Sequence, residues 1–199
     1  MPPPSAPLPL RVLLCDADRG RAALLEQALA DAGYRVITRL DGAANLSAEV
    51  ARHQPDVIII DLDSPDRDTL EQMRSISREQ PRPIVMFAED DASGTISQAI
   101  KAGVSAYVVD GLSGKRVRPV MEVAIARFRE YQALREELAR TKTSLEERKV
   151  IEQAKGLLMQ HRAMSESEAY QALRKLAMDQ GRKLPEVAKN VIAIMDLLG

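Results

Sequence analysis

Residues 56–61 read DVIIID and decide the fold of the first part of the chain. The run from Val57 to Ile60 is apolar at every position and consists only of β-branched residues. A central strand of a parallel sheet has this composition because helices cover both faces of the sheet and neither face meets water. The stretch therefore predicts a buried strand at the centre of a parallel sheet.

Apolar runs of similar length flank this strand, and segments with helical spacing separate them. The other predicted strands are Arg11–Cys15, Tyr34–Leu40, Ile84–Phe87 and Ala106–Val109. Predicted helices end at Gly33, lie near residues 68–79 and 94–102, and begin near residue 115. Strands that alternate with helices predict an α/β domain with a doubly wound, parallel, five-stranded sheet.

Two carboxylates stand at the carboxyl ends of predicted strands. Asp16 follows the first strand, and Asp61 ends the third. Ligands of open α/β sheets bind outside the carboxyl ends of the strands. The sequence therefore places Asp16 and Asp61 in one acidic pocket.

This arrangement resembles the receiver domain of bacterial response regulators, which has a flavodoxin-like fold. The resemblance implies that Asp61 occupies the position of the phosphoryl acceptor. It also implies that Asp16 is the first of the acidic residues that bind Mg²⁺ beside the acceptor. On this basis residues 11–127 are predicted to form the receiver domain.

Three positions depart from the receiver pattern. Ala17 replaces the second acidic residue, Ala88 replaces the hydroxyl residue that ends the fourth strand, and Asp110 replaces the lysine after the fifth. Ala17 offers no oxygen to Mg²⁺, which needs an octahedral set of oxygen ligands. Asp110 would repel a phosphoryl group instead of neutralising it. We expect a degenerate receiver that lacks phosphoryl switching and needs no cofactor, in which Asp61 is structural. Mg²⁺ at Asp16 and Asp61 is a weak alternative.

The last 54 residues, 146–199, read as three amphipathic helices in an all-α bundle. Apolar residues recur at helical spacing in each segment. Ser165 and Glu168 have the spacing of a capping box, which starts the second helix. Pro185 stands in the first turn of the third helix, where proline is tolerated.

Gly156 lies on the predicted polar face of the first of these helices. A glycine inside a helix costs about 1 kcal/mol relative to alanine. The close approach of a partner, such as a phosphate or a flipped base, would offset this cost. An incidental glycine or a close helix–helix crossing are the alternatives.

The same segment carries spaced residues that resemble the signature of the ANTAR family, which includes the AmiR and NasT antitermination regulators. They are Arg148, Ile151, Gln153–Gly156, Leu158–Met159, Glu168–Tyr170, Leu173–Arg174, Ala177–Met178 and Val187–Ala188. The resemblance implies binding to hairpins in a nascent leader mRNA, which prevents a terminator from forming. The layout resembles the nitrate-responsive NasT type. That likeness implies control of nitrate or nitrite assimilation genes and a NasS-type partner, a nitrate sensor similar to periplasmic binding proteins.

The expected RNA-binding surface combines cationic and amide side chains, since cations neutralise phosphates and amides can read splayed bases. The predicted contacts are Arg148, Lys149, Gln153, Lys155, Gly156 and Arg174, with Lys175 and Lys183 as phosphate contacts. For any single charged residue, a solvated surface position is the alternative. Tyr170 is assigned to the buried side of its helix, so base stacking on an aromatic ring is not expected.

Residues 128–145 are predicted to form a coiled-coil linker helix. Phe128, Tyr131, Leu134, Leu138 and Leu145 lie on one side at roughly heptad spacing, with charged residues between them. A homodimer through this seam would present two RNA-binding modules to two hairpins. The alternative is a helix that packs against the domains of its own chain.

The composition narrows the functional classes. The net charge of the 199 residues is −1, with −3 in residues 1–127 and +1 in residues 146–199, so RNA binding must depend on local charge. A single cysteine, Cys15, excludes an intrachain disulfide and fits a cytoplasmic protein. No apolar run is long enough to span a membrane. The proline-rich residues 1–10 predict a disordered tail.

Two functional alternatives remain open from the sequence. One is a DNA-binding response regulator, against which the C-terminal part lacks a clear recognition-helix pattern. The other is a dimeric signalling adaptor that binds no nucleic acid. An enzyme is not expected, because no nucleophile–base pair, phosphate loop or metal-ligand spacing occurs, and His53 and His161 stand alone.

Overall fold

A computed structural model of the protein describes residues 8–109 and 114–198. Asp110 and residues 1–7 of the predicted tail lie outside the described residues. Among the described residues, no helix combines the length and apolar character needed to cross a membrane.

The first part of the chain forms a five-stranded parallel sheet with the strand order β2-β1-β3-β4-β5. The predicted fold class is therefore confirmed. The register pairs Asp16 at the end of β1 with Asp61 at the end of β3, so the topology brings both carboxylates to one edge. The strands are β1 (Arg11–Asp16), β2 (Arg35–Leu40), β3 (Val57–Asp61), β4 (Ile84–Ala88) and β5 (Ala106–Val109).

Seven helices occur in the described ranges 8–109 and 114–198. They are α1 (Arg19–Asp31), α2 (Leu46–His53), α3 (Arg67–Glu79), α4 (Ser93–Lys101), α5 (Gly114–Arg162), α6 (Glu166–Gln180) and α7 (Leu184–Leu198). The sequence did not predict α2, because only two of its eight residues, Leu46 and Val50, are buried and anchor it.

The sheet separates two hydrophobic clusters, and successive residues of each central strand alternate between them. In β3, Ile58 and Ile60 enter one cluster, and Val57 and Ile59 enter the other. All four side chains are at most 1% exposed. The apolar run that predicted the strand is thus explained by burial on both faces.

The chain divides into two compact units, residues 1–132 and residues 133–199. The helix α5 contributes its first part to one unit and its remainder to the other. The division between residues 132 and 133 falls inside the predicted linker, residues 128–145.

The C-terminal unit has a small core. Ala154 of α5, Leu173 of α6 and Ala188 of α7 are each at most 1% exposed and form one cluster. The predicted capping box is present: Ser165 accepts from the Glu168 amide, and the Glu168 carboxylate accepts from the Ser165 amide. Half-buried side chains surround the cluster, namely Val150, Ile151, Leu158, Leu184, Val191 and Ile192.

Candidate functional site

The acidic pocket of the first unit lies at the carboxyl ends of β1 and β3. Asp16 is fully buried, and Asp61 is 4% exposed. These two carboxylates come together as the sequence predicted, because they are register partners on neighbouring strands. A third carboxylate, Asp63, follows β3 and is exposed.

A guanidinium from α1 lies among these three carboxylates. Arg21 Nη2 is 3.2 Å from Asp16 Oδ1, and Arg21 Nε is 3.3 Å from Asp61 Oδ2. Arg21 Nη1 lies 3.7 Å from Asp63 Oδ1. Asp18 caps α1 by accepting hydrogen bonds from the Gly20 and Arg21 amides at 2.7 and 2.9 Å, which fixes Arg21 in the first turn.

Burial dominates the electrostatics of Asp61. It raises the pKa of Asp61 to about 6, with the Arg21 guanidinium opposing the shift and Asp16 adding to it. Among the described residues, Asp61 Oδ2 has an ion-pair contact but no aligned hydrogen-bond donor. Burial also raises the pKa of the neighbouring Cys15 thiol to about 12, so this cysteine stays protonated and unreactive.

The residues present do not fit a directly bound Mg²⁺. Ala17 supplies no oxygen, Asp18 is engaged as a helix cap, and Arg21 lies against the two buried carboxylates. In the described part of the chain, no group of three or more acidic, cysteine or histidine side chains is placed to hold a metal ion.

The position that couples phosphorylation to the fourth strand has no hydroxyl group in this chain. Ala88 ends β4 and is 3% exposed, and its methyl group cannot form a hydrogen bond. Asp110, the expected replacement of the receiver lysine, lies outside the described residues.

The candidate nucleic-acid interface lies in the C-terminal unit, where the end of α5 carries a stripe of exposed residues. Lys149, Gln153, Gly156 and Gln160 follow one another at intervals of four, three and four residues, so they share one side of the helix. We refer to these four residues as the amide stripe. Gln160 was not among the predicted contacts, although its spacing places it there.

Gly156 forms a gap in the amide stripe. Within the described part of the chain, and apart from the adjoining backbone of α5 itself, a Cβ added at this position would meet no atom within 4 Å. A close helix–helix crossing at Gly156 is therefore excluded for the described residues. The approach of a partner and an incidental glycine remain as interpretations.

Lys155 does not lie on the exposed polar face on which the sequence placed it. Its side chain is only 8% exposed, and Nζ is 2.7 Å from Glu166 Oε1 and 2.9 Å from Glu152 Oε2. Hydrogen bonds to Glu166 and to Glu152 raise the pKa of Lys155. The expected exposure was wrong because the position faces the start of α6, where Glu166 pairs with the ammonium group.

The predicted contacts that belong to α5 therefore lie on two different sides of this helix. Arg148, which is exposed, precedes Lys155 by seven residues and lies on its flank. Lys149, Gln153 and Gly156 belong to the amide stripe on the other flank. Lys149 Nζ also lies 3.2 Å from Glu146 Oε1, in an exposed ion pair that costs little to break.

The helix α6 presents Arg174 and Lys175 to solvent, as predicted. Tyr170 is 40% exposed, so its assignment to the buried side was wrong. Ala169, the preceding residue, is buried at 0% exposure, and Tyr170 lies one position farther round the helix. An aromatic ring is thus accessible on the same helix as Arg174.

Lys183, at the turn before α7, borders a groove of about 610 Å³ between α5 and α7. Lys142 and Lys189 also line this groove, and neither was predicted as a contact. Three glutamates line it as well, Glu146, Glu147 and Glu186, so the groove has no net excess of cations.

Family models match both parts of the chain. The response regulator receiver domain matches residues 12–118, more than half of the sequence. The ANTAR domain matches residues 139–192.

Relatives match the chain over almost its full length or over part of it. The chain is 32% identical over 188 residues to the transcriptional regulatory protein PdtaR of Mycobacterium tuberculosis, covering 94% of this chain and 91% of that protein. It is 46% identical over 68 residues to the nitrate regulatory protein of Klebsiella oxytoca, covering 34% of this chain and 17% of that protein.

Solved structures support the fold of the first part. The receiver domain of a modulated diguanylate cyclase from Desulfovibrio desulfuricans has a TM-score of 0.54 and 19% identity, over 62% of this chain and 98% of that one. A LuxR-family response regulator from Aurantimonas sp. has a TM-score of 0.53 and 22% identity, over 59% and 86%. The receiver and ANTAR matches, together with the similarity to PdtaR along almost the whole chain, show that this protein belongs to the ANTAR-family response regulators.

Proposed function

We propose that the protein is a non-enzymatic, cytoplasmic antitermination regulator that binds hairpins in a nascent leader mRNA and prevents a terminator from forming. The observation that carries the proposal is the amide stripe with its gap at Gly156 in the ANTAR unit. The nitrate regulatory protein relative supports nitrate or nitrite assimilation genes as the targets.

The amide stripe supports RNA as the ligand. Lys149 supplies a cation for phosphates, and Gln153 and Gln160 supply both hydrogen-bond donors and acceptors for base edges. Gly156 adds no side chain to the surface between them, so a phosphate or a base can approach the helix backbone. Arg174, Lys175 and Lys183 are exposed cations of the same unit. Arg174 remains a proposed RNA contact, and Lys175 and Lys183 remain proposed phosphate contacts.

Control by a protein partner fits the acidic pocket better than control by phosphorylation. The pocket lacks the oxygen ligands that Mg²⁺ requires, and Ala88 cannot bind a phosphoryl oxygen. A NasS-type nitrate sensor is the proposed partner, and it would withhold the regulator from RNA until nitrate arrives.

A homodimer through α5 is part of the proposal. Leu134 and Leu138 are each 56% exposed and Leu145 is 52% exposed. With Tyr131 and Thr141 they continue a three–four repeat along one side of the helix, which is the spacing of a coiled-coil seam. Large aliphatic side chains repeated in register on one helix surface favour burial against a second copy.

Binding of a two-hairpin leader RNA by the full chain tests the proposed function. We expect a gel shift with this RNA and none with duplex DNA of the same length. Replacing Lys149 and Gln153 together by alanine should weaken RNA binding by about tenfold or more, since a phosphate contact and a base contact are both lost. Lys101→Ala, an exposed lysine at the end of α4, is the matched control.

Each other outcome of that experiment points elsewhere. A shift with duplex DNA alone would identify a DNA-binding regulator. Absence of binding to every leader hairpin by the folded protein would favour a signalling adaptor. An unchanged RNA affinity in the Lys149→Ala, Gln153→Ala variant would remove the amide stripe from the interface.

Sedimentation equilibrium tests the dimer. At micromolar concentration we expect twice the chain mass of 21.9 kDa. Leu134→Glu combined with Leu138→Glu should give monomers, because like charges would face each other in the seam. Leu24→Glu is the control, since Leu24 is 76% exposed on α1 and outside the seam. A monomeric wild-type protein would refute the coiled coil.

A further inference from the structure

We infer that Arg21 is a built-in replacement for the divalent cation of the acidic pocket, and that its guanidinium keeps the receiver in a state that does not depend on Mg²⁺. The inference concerns the receiver alone and does not depend on RNA binding.

The geometry places Arg21 where a cation is needed. Asp16 and Asp61 are almost completely buried and lie side by side at the ends of neighbouring strands. Two adjacent buried carboxylates repel each other and lose hydration, so removing the positive charge between them would leave buried charge uncompensated. Arg21 contacts both, at 3.2 and 3.3 Å, and reaches towards Asp63 at 3.7 Å.

The chain also removes the groups that would let a metal ion compete. Ala17 provides no ligand. Asp18, the next acidic residue, has Oδ1 engaged by the Gly20 and Arg21 amides at 2.7 and 2.9 Å. The cap that engages Oδ1 of this carboxylate is the same feature that fixes the position of Arg21. One local structure therefore supplies the cation and withdraws a potential ligand of its competitor.

A tethered cation has a different dependence on solution conditions from a bound ion. Mg²⁺ stabilises a protein by mass action, so its contribution grows with its free concentration. Arg21 is present at a fixed position in every molecule, and a guanidinium does not lose its proton in proteins. The thermal stability of the receiver should therefore be the same with and without Mg²⁺.

Titration of the full-length protein with Mn²⁺, followed by electron paramagnetic resonance, and thermal melting with and without millimolar Mg²⁺ test the inference. We expect neither to reveal cation binding by the wild-type protein. Arg21→Ala leaves the three carboxylates without their partner, and it should bind Mn²⁺ at least about tenfold more tightly than wild type. Its melting temperature should rise on addition of Mg²⁺. Arg19→Ala, an exposed arginine in the same turn of α1, should behave as wild type.

Two results would overturn the inference outright. The first is binding of Mn²⁺ by the wild-type protein with a rise of its melting temperature in Mg²⁺. The second is a folded Arg21→Ala or Arg21→Gln variant whose Mn²⁺ titration and melting temperature show no response to either ion. If both variants fail to fold in the absence of a divalent cation, folding in the presence of Mg²⁺ would support the inference, and failure to fold in Mg²⁺ would refute it.

Discussion

Replacing Leu173 by alanine is expected to lower the free energy of unfolding of the C-terminal unit by about 2–5 kcal/mol. Leu173 is 1% exposed, and among the described residues it is the only large side chain that is fully buried in its cluster, beside Ala154 and Ala188. Two alanines cannot move inward to fill the lost volume. A unit of this size has a small free energy of unfolding, so a large fraction of the molecules should have this unit unfolded.

Hydrogen exchange in the full-length protein measures this effect within one sample. Amides of α6 and α7 should exchange about 30-fold faster or more, which corresponds to a loss of at least 2 kcal/mol. Amides of β3, in the first unit, are the internal reference. Leu176→Ala is the matched control, since Leu176 is 38% exposed on the same helix and should cost less. Equal effects of the two replacements would contradict the assigned core.

Replacing Gly156 by leucine is expected to separate stability from RNA binding. An added Cβ has open space at this position in the described part of the chain, and leucine favours a helix over glycine, so α5 should be strengthened by up to about 1 kcal/mol. It would also fill the gap in the amide stripe. We expect RNA affinity to fall by about tenfold or more, because a ligand that approaches the helix backbone would be held away from it.

The opposite signs make this variant informative. Melting temperature and RNA affinity would be measured on the same preparation, so loss of binding could not be attributed to unfolding. Gly94→Leu is the control, since Gly94 is a glycine of α4 with no atom within 4 Å of an added Cβ. Leader RNA bound equally well by a folded Gly156→Leu protein would leave the glycine incidental.

Much of the fold could be predicted because strands that are buried on both faces of the sheet appear in the sequence as continuous apolar runs. The run at 57–60 and the four other apolar runs became β1 to β5 within about one residue at each end. The helix α2 has no comparable sequence pattern, since only two of its eight residues are buried. A short segment with two apolar residues does not show a helical period.

The candidate sites were less predictable because they depend on which residues pair across elements. Glu166 lies eleven residues from Lys155, and only the packing of α6 on α5 shows that it buries the ammonium group. Arg21 was missed for the same reason. The sequence contained one signal for it. Ala17 removes a metal ligand from the pocket, and Arg21 follows Asp16 by five residues, in the first turn of a helix.

The position of the Arg21 guanidinium among the carboxylates also has a consequence for purification of the protein and for its evolution. Arg21 is part of the polypeptide, so every molecule carries one guanidinium. Chelators and dilution cannot remove it. On this inference the codon for Arg21, and not the ionic composition of the cell, supplies the cation of the pocket. Substitution of Arg21 is then one route by which a descendant of this protein could become responsive to metal ions.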